Sequence, residues 1–318
     1  MESVGKGMKV SPLEKKKEGR MKSGFWLIVI GAALWGADPL FRIILLKENM
    51  TATQITLIEH IILFIIMMPV LWKHRSELQG LKLRHIGALL FLSWGGSAIA
   101  TIMFTRGLSS GDLNTVILLQ KLQPLFAILM AKLLLKERLP KHFSWLLIIA
   151  LAGTYLLTFG FAFPFGNISN FTQVGSLFAL IAAALWGGST VMGRLMVGQM
   201  QPVTVTSLRF ILALPLLIGI TINQGDPWLV ATDAGTLTAV SINLLAQALL
   251  PGLLSIFIYY KGLTTTKASV ATLAELSFPM VSVLINWIVF NQVISIAQAF
   301  GFVLIWVVLF IISRNSST

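Results

Sequence analysis

Six ionisable residues lie inside stretches of the chain that are otherwise apolar. They are Asp38, Arg42, Glu59, Lys121, Arg209 and Glu275. Moving a charge out of water costs several kcal/mol, so a chain keeps such residues where they pair with each other or bind a ligand. We therefore treat all six as candidates for binding a ligand or coupling an ion.

Asp38 and Arg42 are four residues apart on one face of a predicted helix, which also carries Trp35. Pro39 lacks an N–H, so the carbonyl of Trp35 loses its helical donor and the helix can kink. A kink, a free carbonyl, a large aromatic ring and an ion pair on one face are features of a cavity wall. The alternative is a structural ion pair near the helix end, with Trp35 packed against a neighbouring helix.

Two further apolar stretches each carry a polar residue four positions before a proline: Gln120 before Pro124, and Glu275 before Pro279. Each proline removes the helical donor from the carbonyl of that polar residue. Polar backbone is tolerated in such surroundings only where it is buried in protein or lines a wet cavity. We expect Lys121 to hold a carboxylate or phosphate, and Glu275 to hold an ammonium group or a coupled proton. The alternative is that these two residues pair across the molecule.

Glu59 and Arg209 have a further feature in common, and two more residues, Trp186 and Gln247, complete the candidate set. Glu59 and Arg209 occupy corresponding places in the two halves of the chain, with the alternative that their long side chains reach toward lipid headgroups. Trp186 lies deep enough to stack on an aromatic or cationic substrate. Gln247 interrupts an apolar stretch together with Pro251, which is expected to kink it.

The composition indicates the environment in which the protein folds. Hydrophobic residues make up 56% of the 318 and charged residues only 11%, with a mean hydropathy of +0.85. Soluble domains carry about 25% charged residues, so this chain needs lipid around it. There is no cysteine, which excludes disulfides and thiolate chemistry. The net charge of +12 comes from a basic tail and short basic loops, so we discard nucleic-acid binding.

A bilayer core about 30 Å thick needs roughly 20 apolar residues of helix. That criterion predicts ten segments, which we call segments 1 to 10 in chain order. They cover residues 23–46, 54–72, 85–105, 112–135, 142–163, 173–196, 202–222, 236–260, 267–290 and 294–313. Residues 1–22 form a basic tail, and segment 1 is expected to be retained rather than cleaved.

The basic residues also predict the orientation. Most of the 24 lysines and arginines fall in the tail and in the loops that share its side of the membrane. Cytoplasmic loops are rich in these residues, so both termini are expected to be cytoplasmic.

The two halves of the chain repeat one another. The sequence AALWG occurs at 32–36 and again at 183–187, and residues 106–125 resemble residues 261–280. Each half, 23–163 and 173–313, contains five segments, and because five is odd the second half enters the membrane from the opposite face. Such inverted repeats are typical of secondary transporters with a site near the midplane. The alternative is a duplication retained for the fold alone.

The ALWG element in each half and the helix end QPLFAILMAKLLLKERL (123–139) resemble the drug/metabolite transporter superfamily, specifically its EamA-type ten-helix members. The resemblance covers residues 23–313. It implies a bacterial inner-membrane carrier, commonly an exporter of amino acids, other metabolites or toxic compounds, with a central cavity between the halves. The chain departs from the pattern at Glu59-His60, which bears on the substrate class. It also has Asn291-Gln292 where the first half has Lys136-Glu137.

The sequence therefore predicts an all-α membrane protein that is a secondary carrier. We expect it to export a small polar or amphipathic compound, amino-acid-like or a drug, by alternating access, with a proton or other ion as a possible coupling partner. No catalytic residue, cofactor or metal site is predicted, and the oligomeric state is left open. The alternatives are a membrane enzyme acting on lipid and a channel; the first lacks a histidine and carboxylate cluster, and the second lacks a repeated filter motif.

Overall fold

The computed structural model describes residues 12–111, 113–139, 142–162, 173–228, 233–291 and 293–315. Within these ranges the chain is helical apart from turns and short connections, and no β-strand occurs. In chain order the α-helices are α1 (Pro12–Trp35), α2 (Asp38–Lys47), α3 (Ala52–Lys73), α4 (Leu83–Leu90), α5 (Ala100–Ser110), α6 (Leu113–Gln120), α7 (Gln123–Leu134), α8 (Phe143–Phe159), α9 (Val174–Met196), α10 (Pro202–Ile211), α11 (Leu214–Gln224), α12 (Ala234–Gln247), α13 (Ser255–Leu263), α14 (Ala268–Ala274), α15 (Phe278–Phe290) and α16 (Ile296–Asn315).

Nine helical runs among the described residues are long and apolar enough to cross a membrane. They correspond to segments 1–4 and 6–10. Segment 5 is helix α8, which is apolar but has only 17 residues. The prediction of an all-helical membrane protein is confirmed, whereas a count of ten crossings depends on α8.

Helix α1 begins earlier than the sequence pattern predicts. It starts at Pro12, within the predicted tail of residues 1–22, and continues without a break to Trp35. Pro is favoured at the first position of a helix, and the Leu, Glu, Lys and Met residues that follow are strong helix formers. The basic part of the tail that follows Pro12 is therefore a helical extension of segment 1.

Four segments are interrupted next to a proline, which cannot supply the N–H of a continuous helix. In each case the proline stands at the second position of the helix that follows the interruption: Pro39 in α2, Pro124 in α7, Pro215 in α11 and Pro279 in α15. A single helical turn of the 3-10 type, Glu275–Ser277, bridges the break in segment 9. The breaks in segments 4 and 9 occupy corresponding places in the two repeats.

Segments 3 and 8 also deviate from α-helix at corresponding places. Segment 3 is π-helical over Phe91–Ile99 and segment 8 over Ala248–Leu254, where Pro251 lies inside the helix. A π-helical turn is wider than an α-helical turn and is frequent at functional sites. Both π-helical stretches contribute residues to the centre of the molecule.

The two halves pack through corresponding helix pairs. Helix α1 packs against α13, and the corresponding helices α9 and α5 pack against each other in the same way. Two other contacts join corresponding helices of the two halves directly: α3 with α10, and α8 with α16. Glycines allow the first two approaches, because a Cβ atom at Gly262 would collide with the carbonyl oxygen of Gly24. Gly175 similarly lies against Gly107. This exchange of equivalent partners gives the described helices an approximate two-fold arrangement with a shared centre.

Candidate functional site

A cavity of about 1100 Å³, including the part that opens to its surroundings, lies at that centre. Its walls come from segments 1–4 of the first half and segments 6–9 of the second. Helices α8 and α16 pack against each other outside it.

Ten residues were predicted from the sequence to form a site, and nine of them line this cavity: Trp35, Asp38, Arg42, Glu59, Gln120, Lys121, Trp186, Arg209 and Glu275. The tenth, Gln247, is fully buried and lies behind the wall, where it donates a hydrogen bond to Glu59. Of the four predicted kink residues, Pro39, Pro124 and Pro251 line the cavity and Pro279 does not. The tertiary structure thus brings together residues that are up to 240 positions apart in sequence.

Arg42 holds two carboxylates at one end of the cavity. Its Nε donates to Asp38 Oδ2 at 2.7 Å, so the pairing expected from their spacing is present. Its Nη2 donates to Glu59 Oε2 at 2.9 Å, and Gln247 Nε2 donates to the same oxygen at 3.2 Å. Arg42 is only 3% exposed, and its Nη1 has no hydrogen-bond partner among the described residues. Glu59 is 5% exposed and paired, so the alternative that it reaches toward headgroups is wrong.

The Glu275 carboxylate is held by neutral hydrogen-bond donors from three other segments. Its Oε1 accepts from the Tyr259 hydroxyl at 2.5 Å and from Thr190 Oγ1 at 2.9 Å. Its Oε2 accepts from Gln123 Nε2 at 2.5 Å. Gln123 in turn accepts a hydrogen bond from Gln120 through its side-chain oxygen, at 3.2 Å. The turn of segment 4 is therefore linked to the turn of segment 9.

Lys121 does not pair with Glu275, so that alternative is wrong. Its Nζ lies over the Phe278 ring, 3.0 Å from the ring centroid, in cation–π geometry. Lys121 is 3% exposed and forms no ion pair with any residue that the structure describes. Glu275 Oε2 instead accepts a hydrogen bond from Gln123, the residue that follows the break containing Lys121.

Arg209 crosses the interior instead of reaching toward lipid. Its Nε donates to Ser97 Oγ and its Nη1 to the Tyr260 hydroxyl, both at 2.7 Å. The residue is 8% exposed. These contacts join segment 7 to segments 3 and 8, so the alternative that Arg209 extends to headgroups is wrong.

Aromatic rings form two walls of the cavity. Trp35 lies against Tyr259 with ring centroids 5.0 Å apart, and Trp186 against Phe104 at 5.2 Å. The indole N–H of Trp186 donates to the carbonyl of Gly96, inside the π-helical stretch of segment 3, at 2.9 Å. Both tryptophans line the cavity, and the hydrogen bond to Gly96 holds the Trp186 ring in place.

Sequence reasoning missed the neutral partners Gln123, Thr190, Tyr259 and Ser97. Neutral polar residues occur throughout apolar helices and give a weak signal on their own. Two signals were available: Gln123 precedes the proline of a predicted kink, and the chain has only three tyrosines, two of them adjacent at 259–260. The described residues contain no group of three or more His, Cys, Asp or Glu side chains that could hold a metal ion.

Comparisons with known proteins identify the family of the chain. A family model described as the EamA-like transporter family matches residues 22–159 and 173–314. The riboflavin transporter ImpX of Fusobacterium nucleatum is 32% identical over 302 residues, which are 92% of this chain and 97% of the relative. The uncharacterized transporter YwfM of Bacillus subtilis is 28% identical over 182 residues, 56% of this chain and 57% of its own.

A solved crystal structure also resembles the chain. It aligns with a TM-score of 0.72 over 92% of this chain and 97% of its own length, at 18% sequence identity. At that identity the likeness supports the fold alone. Together, the family match and the transporter relatives indicate a transporter rather than an enzyme.

Proposed function

The chain belongs to the EamA-like transporter family, and from that premise we propose that it is a secondary carrier for a small amphipathic organic molecule. The carrier works by alternating access: the central cavity opens first to one side of the membrane and then to the other. The two halves, residues 23–163 and 173–313, act as the inverted five-segment repeats that rock about this cavity.

The observation that supports this proposal most directly is the cavity itself. Four segments from each half surround it, and six Asp, Glu, Lys and Arg side chains line it in a chain that is otherwise apolar. Buried charges in a membrane protein usually mark a substrate or ion pathway. A fold that needed only stability would gain from apolar side chains at these positions.

Two of these charges are available for a substrate. Lys121 and Glu275 line the same cavity with opposite charges, and neither forms an ion pair with a described residue. Phe278 lies beneath the ammonium group and three neutral donors surround the carboxylate. We assign an electronegative group of the substrate to Lys121, and a hydrogen-bond donor of the substrate or a coupled proton to Glu275.

The aromatic walls favour a substrate with a flat ring system. Trp35 with Tyr259, and Trp186 with Phe104, offer ring surfaces next to the charged groups. Riboflavin has a flat three-ring system, an imide edge with both acceptors and a donor, and a chain of hydroxyl groups. Because a riboflavin transporter is 32% identical over nearly the whole chain, riboflavin is the first substrate to test.

The interruptions of segments 4 and 9 are the proposed hinges. Each provides a turn without continuous helical hydrogen bonds beside the cavity, so the helix on either side can change its angle. In the proposed topology ten segments cross the membrane, both termini are cytoplasmic, and net transport is outward, as the sequence predicts.

Purified protein in liposomes tests the proposal. We expect saturable uptake of riboflavin, followed by its fluorescence, and counterflow when the liposomes are preloaded with unlabelled riboflavin. Amino acids and cationic drugs, each with and without a pH gradient, serve as the other arms. If none of these compounds shows saturable flux with counterflow, the carrier proposal is wrong; flux of another compound alone replaces only the substrate.

Variants at Lys121 and Glu275 test the site. Lys121→Met and Glu275→Gln should each lower transport by about tenfold or more, which corresponds to about 1.4 kcal/mol. Lys132→Met is the matched control, because Lys132 lies on the same segment and is exposed. Equal transport by all three variants and the wild-type protein would remove Lys121 and Glu275 from the site.

A further inference from the structure

Segments 4 and 9 meet on one side of the cavity only. Helix α7, the second part of segment 4, packs against α14, the first part of segment 9. The pair that corresponds to it in the approximate two-fold arrangement is α6 with α15, and no comparable packing joins that pair among the described residues. We call the side where α7 ends and α14 begins, at Leu134 and Ala268, the closed face.

On the closed face, most of α7 and all of α14 lie outside the cavity lining. Segment 4 contributes Gln120 at the end of α6, the break, and the first turn of α7 as far as Pro124, whereas α14 contributes no lining residue. Ala131 of α7 and Ala268 of α14 are instead fully buried in one apolar cluster. Helices α7 and α14 therefore form a floor that separates the cavity from the closed face.

Glu137 joins the two helices of this floor on the side that faces away from the cavity. It follows α7, and its Oε1 accepts the backbone N–H of Ala268 at 2.9 Å. Its Oε2 accepts the backbone N–H of Ser269 at 3.0 Å and the Ser269 hydroxyl at 2.8 Å. The N-cap residue of α14, Lys267, supplies no side-chain hydrogen bond. A carboxylate of the first half thus caps a helix of the second half, where the helix dipole favours negative charge.

The repeat makes this contact informative. Lys136 and Asn291 are corresponding residues, and both adopt a left-handed φ of 52°, so the two loops share a backbone turn. The residue after each is Glu137 in the first half and Gln292 in the second. Gln292 lies outside the described residues, but its chemistry is known from the sequence. A neutral amide has one acceptor oxygen, whereas a carboxylate has two charged ones, and charge-assisted hydrogen bonds are about twice as strong.

We propose that Glu137 is a latch that holds the closed face shut, so that the protein rests with its cavity open to the opposite side. The latch rests on the proposed carrier function, because it must release once in each transport cycle. The second half has no carboxylate at the corresponding position, because the sequence has Gln292 there. In the proposed topology the closed face is the cytoplasmic face.

The absence of cysteine in the chain allows a direct test. A thiol introduced by Ala131→Cys lies in the floor, and one introduced by Thr101→Cys lies on the cavity wall. Each is reacted with a water-soluble maleimide in nanodiscs. We expect the thiol at position 131 to react slowly in the otherwise unchanged protein. Adding Glu137→Ala or Glu137→Gln should speed its reaction about fivefold or more and slow the reaction at position 101.

Two further variants sharpen the comparison. Glu77→Gln is the matched control, because Glu77 also accepts a backbone N–H across the halves, from Gln201 at 2.8 Å, but lies away from segments 4 and 9. It should leave both reaction rates unchanged. Gln292→Glu, which adds the missing carboxylate, should speed the reaction at position 131, and most strongly when combined with Glu137→Gln.

Slow reaction at position 131 in folded Glu137→Ala and Glu137→Gln proteins would overturn the latch, and so would equal acceleration by Glu77→Gln. Thiol labelling needs no substrate. Loss of every transport activity with the expected labelling would therefore contradict the carrier proposal and leave the latch in place. Normal transport with unchanged labelling would contradict the latch alone.

Discussion

At the scale of single residues, five of the six charges that line the cavity fall into two kinds. Arg42, Asp38 and Glu59 satisfy one another through ion pairs at 2.7 and 2.9 Å. Lys121 and Glu275 are instead surrounded by an aromatic ring and neutral donors. The first arrangement holds helices α2 and α3 together, whereas the second leaves opposite charges facing a cavity. Their expected effects on stability and transport therefore differ.

Replacing Arg42 tests the structural role of the first kind. Arg42→Met leaves the buried Glu59 carboxylate and the partly exposed Asp38 carboxylate without their cation, and breaking a buried ion pair such as Arg42–Glu59 costs about 3–5 kcal/mol. We expect a clear loss of thermal stability in detergent, measured by fluorescence-detected size exclusion after heating. Arg209→Met should cost less, since Arg209 donates to two neutral hydroxyl groups and leaves no charge behind.

A triple variant separates charge balance from packing. Arg42→Met combined with Asp38→Asn and Glu59→Gln removes all three charges together, so most of the lost stability should return. If the triple variant is as unstable as Arg42→Met alone, the ion pairs are not what stabilises this end of the cavity.

At the scale of elements, the helices that pack most closely are joined through glycine. Helix α1 meets α13 at Gly24 and Gly262, and α8 meets α16 at Gly153 and Gly301. Between helices in lipid, van der Waals contact and close approach replace the hydrophobic effect as the main attraction. A glycine at such a crossing therefore stabilises the packing although it is a poor helix former.

Gly262→Ala tests this packing. The added methyl group would overlap the Gly24 carbonyl oxygen and the backbone of Ile28, so the helices must separate. Overpacking of this kind costs about 1–3 kcal/mol. The variant should therefore lose its monodisperse size-exclusion peak at a lower heating temperature than the wild-type protein.

Gly219→Ala is the control for helix propensity. Nothing lies within 4 Å of a Cβ atom at Gly219, which is inside helix α11. Because Ala is a better helix former than Gly by about 1 kcal/mol, this variant should be neutral or more stable. Equal melting behaviour of the two variants would mean that the α1–α13 crossing tolerates a larger side chain.

At the scale of the whole molecule, the fold combines a symmetric frame with asymmetric chemistry. Corresponding helices exchange partners between the halves, and the breaks of segments 4 and 9 match. The charged groups do not match: Glu275 corresponds to Gln120, and Glu137 corresponds to Gln292. A symmetric frame provides two related conformations, and the unequal side chains determine which of them is favoured.

The second half has the inverted orientation only if the first half crosses the membrane five times. That count depends on whether helix α8 crosses. Its 17 residues span about 25 Å at 1.5 Å per residue, which is short for a bilayer core of about 30 Å. We expect α8 to cross, because the apolar sequence around it extends over residues 142–163, and both termini then share the cytoplasmic side.

Reporter fusions measure this directly. Green fluorescent protein fused after residue 139, or after the C-terminus, should fluoresce in the cytoplasm of a bacterial host. Alkaline phosphatase fused after residue 162 should be active outside it. Phosphatase activity that is absent after residue 162, together with fluorescence there, would show that α8 does not cross and that the predicted topology is wrong.

The sequence by itself determined the environment, the repeat and three of the four helix breaks, those at Pro39, Pro124 and Pro279; the break at Pro215 was found only in the structure. Composition and run length are sums over neighbouring residues, and a proline acts on the carbonyl four positions before it, so all of these effects are local. The cost of a buried charge is also a property of the single residue, which is why Lys121 and Glu275 stand out in the sequence alone.

Only the tertiary structure decided which partner each of these residues has. Glu275 meets Gln123, 152 positions away, and Thr190, 85 positions away, whereas Lys121 meets Phe278. Such contacts depend on how helices cross, and nothing in the local pattern fixes a crossing angle or a register. The closed face is of the same kind, since the Glu137 cap on α14 exists only after the two halves have packed.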